Sequence, residues 1–116
     1  MLFINTRTAS STFRTLSHEG RLMILCLLTD GEKCVSELEC LLNRPQAVVS
    51  QQLARLRWAR LVNTRRDGQI VFYSLTEDAT SVLETLYPLF RASDQSSLAL
   101  QPKTVHSVSR RLRNLR

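Results

Sequence analysis

The chain has 116 residues, 43% of them apolar and 22% charged, with 16 Lys and Arg against 10 Asp and Glu and a net charge of +6. That describes one small globular domain, and no apolar run approaches the roughly eighteen residues of a membrane span. Three cysteines without a CxxC pair argue against a disulfide framework, and only three glycines argue against a Gly-rich phosphate loop. Met1 to Ser10 lacks the charged start and long apolar stretch of a signal peptide, so a cytoplasmic protein with no membrane partner is expected. With no nucleophile, base and acid set and no cofactor loop in view, neither an enzyme nor a bound cofactor is expected.

Ser17-His18-Glu19-Gly20 precedes Arg21-Leu22-Met23-Ile24-Leu25-Cys26-Leu27-Leu28, whose apolar character predicts a helix buried on most sides, ended by Asp30-Gly31. The next helix places Val35, Leu38, Leu41 and Leu42 at helical spacing, with Cys34 in the N-cap position where a capping box would pair it with Glu37. Asn43-Arg44-Pro45 makes a short break, and Pro45 suits the first turn of a helix continuing through Gln46 to Arg60. Its apolar positions Val49, Leu53 and Leu56 leave Gln46, Ala47, Ser50, Gln51 and Arg55 facing outward. Two helices joined by so short a turn, the second beginning with small polar and amide side chains, form a helix-turn-helix pattern.

Strands are predicted over residues 61–65 and 70–75, flanking Arg66-Asp67-Gly68-Gln69, where Asp-Gly signals a tight turn and the tip is basic, as a DNA-binding wing would be. Thr76 then caps a last helix with Glu77 and Asp78 in its first turn and an apolar stripe of Val82, Leu83, Leu86, Tyr87 and Phe90. So apolar a helix on so small a domain points to a homodimer, packing within the monomer being its other use. Pro88 removes a hydrogen bond to Glu84 and should kink this helix.

The charge is unevenly spread. Residues 43–69 carry six Arg against Asp67 alone, a net +5, residues 92–116 carry +4, and the remainder is net acidic at −3. A basic band on an otherwise acidic globule suits a protein that neutralises phosphates and releases their counterions; a solvated Arg-rich helix face has the same composition.

The order of elements, together with Leu16-Ser17-His18-Glu19-Gly20-Arg21-Leu22, Val48-Val49-Ser50-Gln51-Gln52-Leu53, Leu56-Arg57 and Thr64-Arg65-Arg66, resembles the ArsR/SmtB family of winged-helix transcription factors over about residues 10 to 91. Within it, residues 18–26 and Tyr73-Ser74-Leu75 look most like the sulfide- and persulfide-responsive SqrR/BigR branch. The resemblance implies a mainly α fold with a β-hairpin wing over residues 1–91. It also implies a homodimer that binds an inverted-repeat operator in double-stranded DNA and represses until an inducer, here a reactive sulfur species or an oxidant, changes its shape. Gln46 and Gln51 each offer a donor and an acceptor to an adenine edge, with Ala47 beside them on the outward face, and Ser50 suits a base or a phosphate. Arg55, Arg65 and Arg66 suit phosphates, with Gln69 at the wing tip and a wing Arg reaching the minor groove. Arg57 and Arg60 read as a solvated helix end and Trp58 as packing. Arg60 stands where the family usually has Gly, so a left-handed conformation there would cost roughly 1 kcal/mol.

The family's metal sensors use a Cys-x-Cys pair or ligands along the last helix. Here Ser36 replaces the second thiol, and neither His18 nor His106 lies at ligand spacing, so no metal is expected. The thiol-switch branch joins a Cys at position 26 to one near the end of the last helix, where this chain has Arg91, so that bridge cannot form within one protomer. Three readings of Cys26, Cys34 and Cys40 stand open. Cys26 is a small apolar packing residue; or Cys26 is oxidised or persulfidated and resolved by Cys34 or Cys40; or single thiols are modified without a bridge. Cys34 is the better partner because a helix N-terminus lowers a thiol pKa, although Glu37 opposes this. Cys34 and Cys40 cannot bridge each other, being about 9 Å apart along one helix and on different faces.

Residues 92–116 form a basic tail beyond the resemblance, either a disordered tail or a polar linker before a short amphipathic helix through Val105, Val108, Leu112 and Leu115. The rival to a repressor is a non-redox winged-helix module whose basic band meets an acidic protein, or a constitutive regulator with structural cysteines.

Overall fold

The computed structural model describes residues 4–91, so the tail at 92–116 lies outside the described residues. Its elements are α1 (Thr6–Leu16), α2 (Glu19–Leu28), β1 (Lys33–Cys34), α3 (Val35–Leu42), α4 (Gln46–Trp58), β2 (Val62–Asp67), β3 (Ile70–Leu75) and α5 (Glu77–Phe90). Among these residues no helix is long and apolar enough to cross a membrane.

The start of each helix follows from local chemistry. Asn5 caps α1 by accepting from the Thr8 N–H (3.1 Å), and His18 Nδ1 accepts from the Gly20 N–H (3.1 Å) at the start of α2. Between them the Arg21 Nε donates to the Thr15 carbonyl (2.7 Å), tying α2 back to the end of α1. Cys34 takes the predicted N-cap place of α3, its N–H donating to Glu37 Oε1 (3.0 Å). Thr76 caps α5, accepting from the Ala79 N–H (3.1 Å).

The interior is built around α2. Its Ile24, Leu25, Leu27 and Leu28 are buried together with Leu16, Leu38, Leu41, Val49, Leu53, Leu56, Leu61, Val62 and Ala79, while Cys26 alone of the run 24–28 is exposed. Burial of this apolar surface is the main stabilising term.

Four details differ from the sequence reading. The hairpin is one part of a three-stranded antiparallel sheet, ordered β1-β3-β2, because Lys33 and Cys34 pair with Tyr73 and Phe72. Strand β2 runs on to Asp67, which pairs with Ile70, so the turn is the two residues Gly68-Gln69 rather than four. Gly68 has φ 65°, the positive value that two-residue hairpins require at their first central position. Pro45 is the N-cap of α4, its carbonyl accepting from Val48 and Val49 (both 3.1 Å), rather than a residue of the first turn. Finally, α4 stops at Trp58, short of Arg60.

That stop has a clear cause. Arg60 is left-handed (φ 61°), its N–H donates to the Arg57 carbonyl (3.0 Å), and the Leu61 N–H donates to the Leu56 carbonyl (2.9 Å). This is the Schellman pairing that satisfies the last carbonyls of a helix. The Thr76 hydroxyl donates to the Arg60 carbonyl (2.9 Å), fixing the turn against the start of α5. The side chain at position 60 is strained by its φ, so Arg60→Gly is expected to raise the unfolding free energy by roughly 1 kcal/mol in denaturant melts. Unchanged or lower stability would show that Arg60 contributes contacts outweighing the strain.

The stripe on α5 divides. Val82, Leu83 and Leu86 pack against the core, whereas Tyr87, Leu89 and Phe90 are exposed. The helix continues through Pro88 to Phe90, and Arg91 is extended (ψ 147°).

Candidate nucleic-acid interface

Helix α4 turns Val49, Leu53 and Leu56 into the core, and this fixes what it shows to solvent. Gln46, Ala47, Ser50, Gln51 and Arg55 are all exposed on it, as the spacing predicted. Gln52 points the other way: it is half-buried, and a methyl group on Gly20 would collide with its amide nitrogen. The missing side chain at Gly20 thus leaves room for the end of the Gln52 side chain, while its neighbour Gln51 stays exposed. Helix α4 contains no acidic residue and has Arg55 and Arg57 in its last turn, so its outward surface carries no negative side chain.

The wing supplies a second basic element, with Arg66 and Gln69 exposed near its tip. Arg65 is placed differently from the free phosphate ligand expected. Its Nε donates to Glu32 Oε2 (3.1 Å), its Nη2 donates to Glu32 Oε1, and its guanidinium carbon lies 4.7 Å from the centre of the Phe72 ring. The cross-strand pairing of Arg65 with Phe72 sets up the stacking, and the fork matches the planar carboxylate. The hydrogen bond from Arg65 holds the Glu32 carboxyl below its ordinary pKa, and the same bond raises that of Arg65. Both side chains are substantially exposed, so the pair adds little stability. Its consequence is local charge, because Glu32 neutralises one of the two wing arginines. Glu32→Gln is therefore expected to tighten duplex binding a few-fold and to steepen its salt dependence by up to about one counterion. Weaker binding by this variant would mean that Glu32 aims Arg65 at DNA instead.

Trp58 corrects the sequence reading outright. It is 87% exposed and not packed, because it lies two residues beyond buried Leu56 and so on the opposite side of the helix.

All three cysteines are free thiols. Cys26 borders solvent, yet its apolar neighbours desolvate the sulfur and raise its pKa. Cys34 is half-buried with Sγ 3.2 Å from Ser36 Oγ, and Cys40 is exposed on a shallow concavity that Arg44 and Glu39 also line. Among the described residues no three His, Cys, Asp or Glu side chains converge as a metal ion would need.

Sequence reasoning missed α1, β1, the exposure of Trp58 and the role of Glu32. Only Trp58 carried a local signal, its offset from Leu56.

Residues 18–64 match the model of the bacterial regulatory proteins of the arsR family. The chain is similar to the biofilm growth-associated repressor of Agrobacterium fabrum, 45% identical over 84 residues covering 72% of either protein. It is also similar to the transcriptional activator HlyU of Vibrio cholerae, 39% identical over 92 residues, covering 78% of this chain and 85% of HlyU. Among solved structures, the transcriptional repressor BigR from Xylella fastidiosa superposes with a TM-score of 0.68 at 40% identity, over 76% of this chain and 91% of that one.

Proposed function

The chain belongs to the arsR family of bacterial regulatory proteins, and from that premise we propose that it is a repressor that binds an inverted-repeat operator as a homodimer. The observation that carries this reading is the outward face of α4, where Gln46, Ala47, Ser50 and Gln51 stand exposed on a helix without acidic residues. A helix of this kind fits the major groove, where an amide side chain can pair with both edge groups of an adenine. Arg55 and Arg66 then meet flanking phosphates, and Gln69 sits beside them at the wing tip. Relatives carry both repressor and activator names. Repression is the outcome that follows from occupying a promoter with nothing further required.

The dimer reading rests on apolar surface. Phe13 on α1 with Ile4 just before it, and Tyr87, Leu89 and Phe90 on α5, are all more than half exposed in the protomer. Large apolar side chains concentrated at two helices mark an interaction surface, and a two-fold partner matches a two-fold operator.

Selection from a random duplex library tests the proposal. Enrichment of an inverted repeat with half-sites about one helical turn, or a multiple of it, apart is expected. Recovery of unordered sequence would defeat the operator reading.

Thiol control enters through Cys26, an exposed position on α2. Burial raises its pKa and so leaves less thiolate than an ordinary cysteine carries at the same pH, which slows reaction with an oxidant or a persulfide donor and lets it quicken with alkali. Peptide-mapped alkylation of Cys26 should go on accelerating above the pH at which an ordinary cysteine levels off. A plateau at or below that pH would contradict the apolar setting of the sulfur. In the same reading Cys26→Ser loses induction by persulfide or peroxide while keeping reduced-state DNA binding.

A further inference from the structure

Trp58 is the one tryptophan of the chain and the most exposed of its large apolar side chains among the described residues. A single bare apolar side chain does not by itself call for a partner surface; its position does. Its place on the helix identifies that surface. At 100° per residue, Trp58 lies diametrically opposite Val49 and within about 20° of the direction of Ala47 and Gln51. It therefore continues the face assigned to base reading, about 10 Å farther along the helix from Gln51.

The major groove is about 12 Å wide, so a helix with Gln51 over the base edges carries a side chain two turns away to the groove wall. That wall is the sugar and phosphate backbone of one strand, which offers the flat apolar edge of deoxyribose between charged phosphates. Arg55, Arg57 and Arg60 surround Trp58 in sequence and are exposed; Glu77 and Asp78 at the start of α5 share a concavity with Arg57 and Arg60, which leaves three arginines against two carboxylates. This setting suits a polyanion and repels an acid-poor, basic partner.

We propose that Trp58 packs on the deoxyribose backbone at the edge of the major groove, flanked by arginine contacts to the adjoining phosphates, and so extends the DNA interface to the last turn of α4. The proposal rests on the operator-binding reading of α4, and the experiment separates the two.

Because there is a single tryptophan, its emission reports on this site alone. Wild-type protein is titrated with mixed-sequence duplex at low salt, and acrylamide quenching of the tryptophan is followed beside a mobility shift. Expected results are a drop of at least about twofold in quenching when the shift is complete, and a loss of roughly 5- to 10-fold in affinity for Trp58→Ala. That loss should be the same for a selected operator and a shuffled duplex, since the backbone is common to both, and Trp58→Phe should restore part of it. A complete shift with unchanged quenching, together with wild-type affinity in Trp58→Ala, overturns the proposal and leaves the operator reading intact. A loss confined to the selected operator overturns the backbone assignment. No shift for wild-type protein at low salt overturns both.

Discussion

Leu53→Ala is expected to lower the unfolding free energy by about 2–5 kcal/mol, the range for removing a fully buried leucine without collapse of the space it filled. Leu53 has no exposed surface, and it lies between Val49 and Leu56 on the face of α4 that meets α2 and α3. The side chains that position the outward face of α4 are thus those that hold the domain together, and loss of packing and loss of recognition should go together. Urea or guanidinium melts at fixed protein concentration measure the effect, since association makes midpoints depend on concentration. A loss below about 1 kcal/mol would show that the site repacks and that α4 is less firmly held than its burial implies.

Leu89→Glu combined with Phe90→Glu is expected to give a folded monomer whose operator affinity falls by roughly 100-fold or more. The two side chains are 70% and 76% exposed in the protomer and lie outside the core, so the fold should tolerate the charges. Two such pairs facing each other across a two-fold axis would not. With the dimer broken, the second half-site no longer binds intramolecularly, and the advantage lost is typically two to four powers of ten. Light scattering gives the mass and circular dichroism the fold. A dimeric variant, or a monomer with undiminished affinity, would remove α5 from the proposed interface.

Much of the architecture was legible because its determinants are local. Thr76 before Glu77 and Asp78, Cys34 three residues before Glu37, and Gly68 in a tight hairpin each announce a boundary through one or two hydrogen bonds. The outward set on α4 follows from the spacing of Val49, Leu53 and Leu56, and every residue predicted to face outward is exposed. What escaped notice depends on distance in sequence or on weak patterning. Helix α1 is mostly Thr, Ser and Arg with Leu16 as its single buried residue, so no apolar period marks it. Strand β1 is two residues long and exists only because β3 runs alongside it. The Glu32 and Arg65 fork joins residues far apart along the chain, and no motif links them. Arg60 was legible as a residue out of place: a left-handed position filled by a side chain that dislikes it is where the helix in fact ends.

The fork on the wing also qualifies the charge of the basic band. Of its two wing arginines, one is already satisfied by a carboxylate. In the proposed complex, electrostatic attraction to DNA therefore falls more heavily on Arg55 and Arg66 than the net charge of that segment suggests.

The most direct measurement is a mobility-shift titration of the full chain, across a salt series, on an inverted-repeat duplex enriched from a random library and on a shuffled duplex of equal length. A steep fall of affinity with salt on both, and clearly tighter binding to the inverted repeat at every salt concentration, are expected. Equal affinity for the two duplexes, or no shift of either at low salt, would contradict the account.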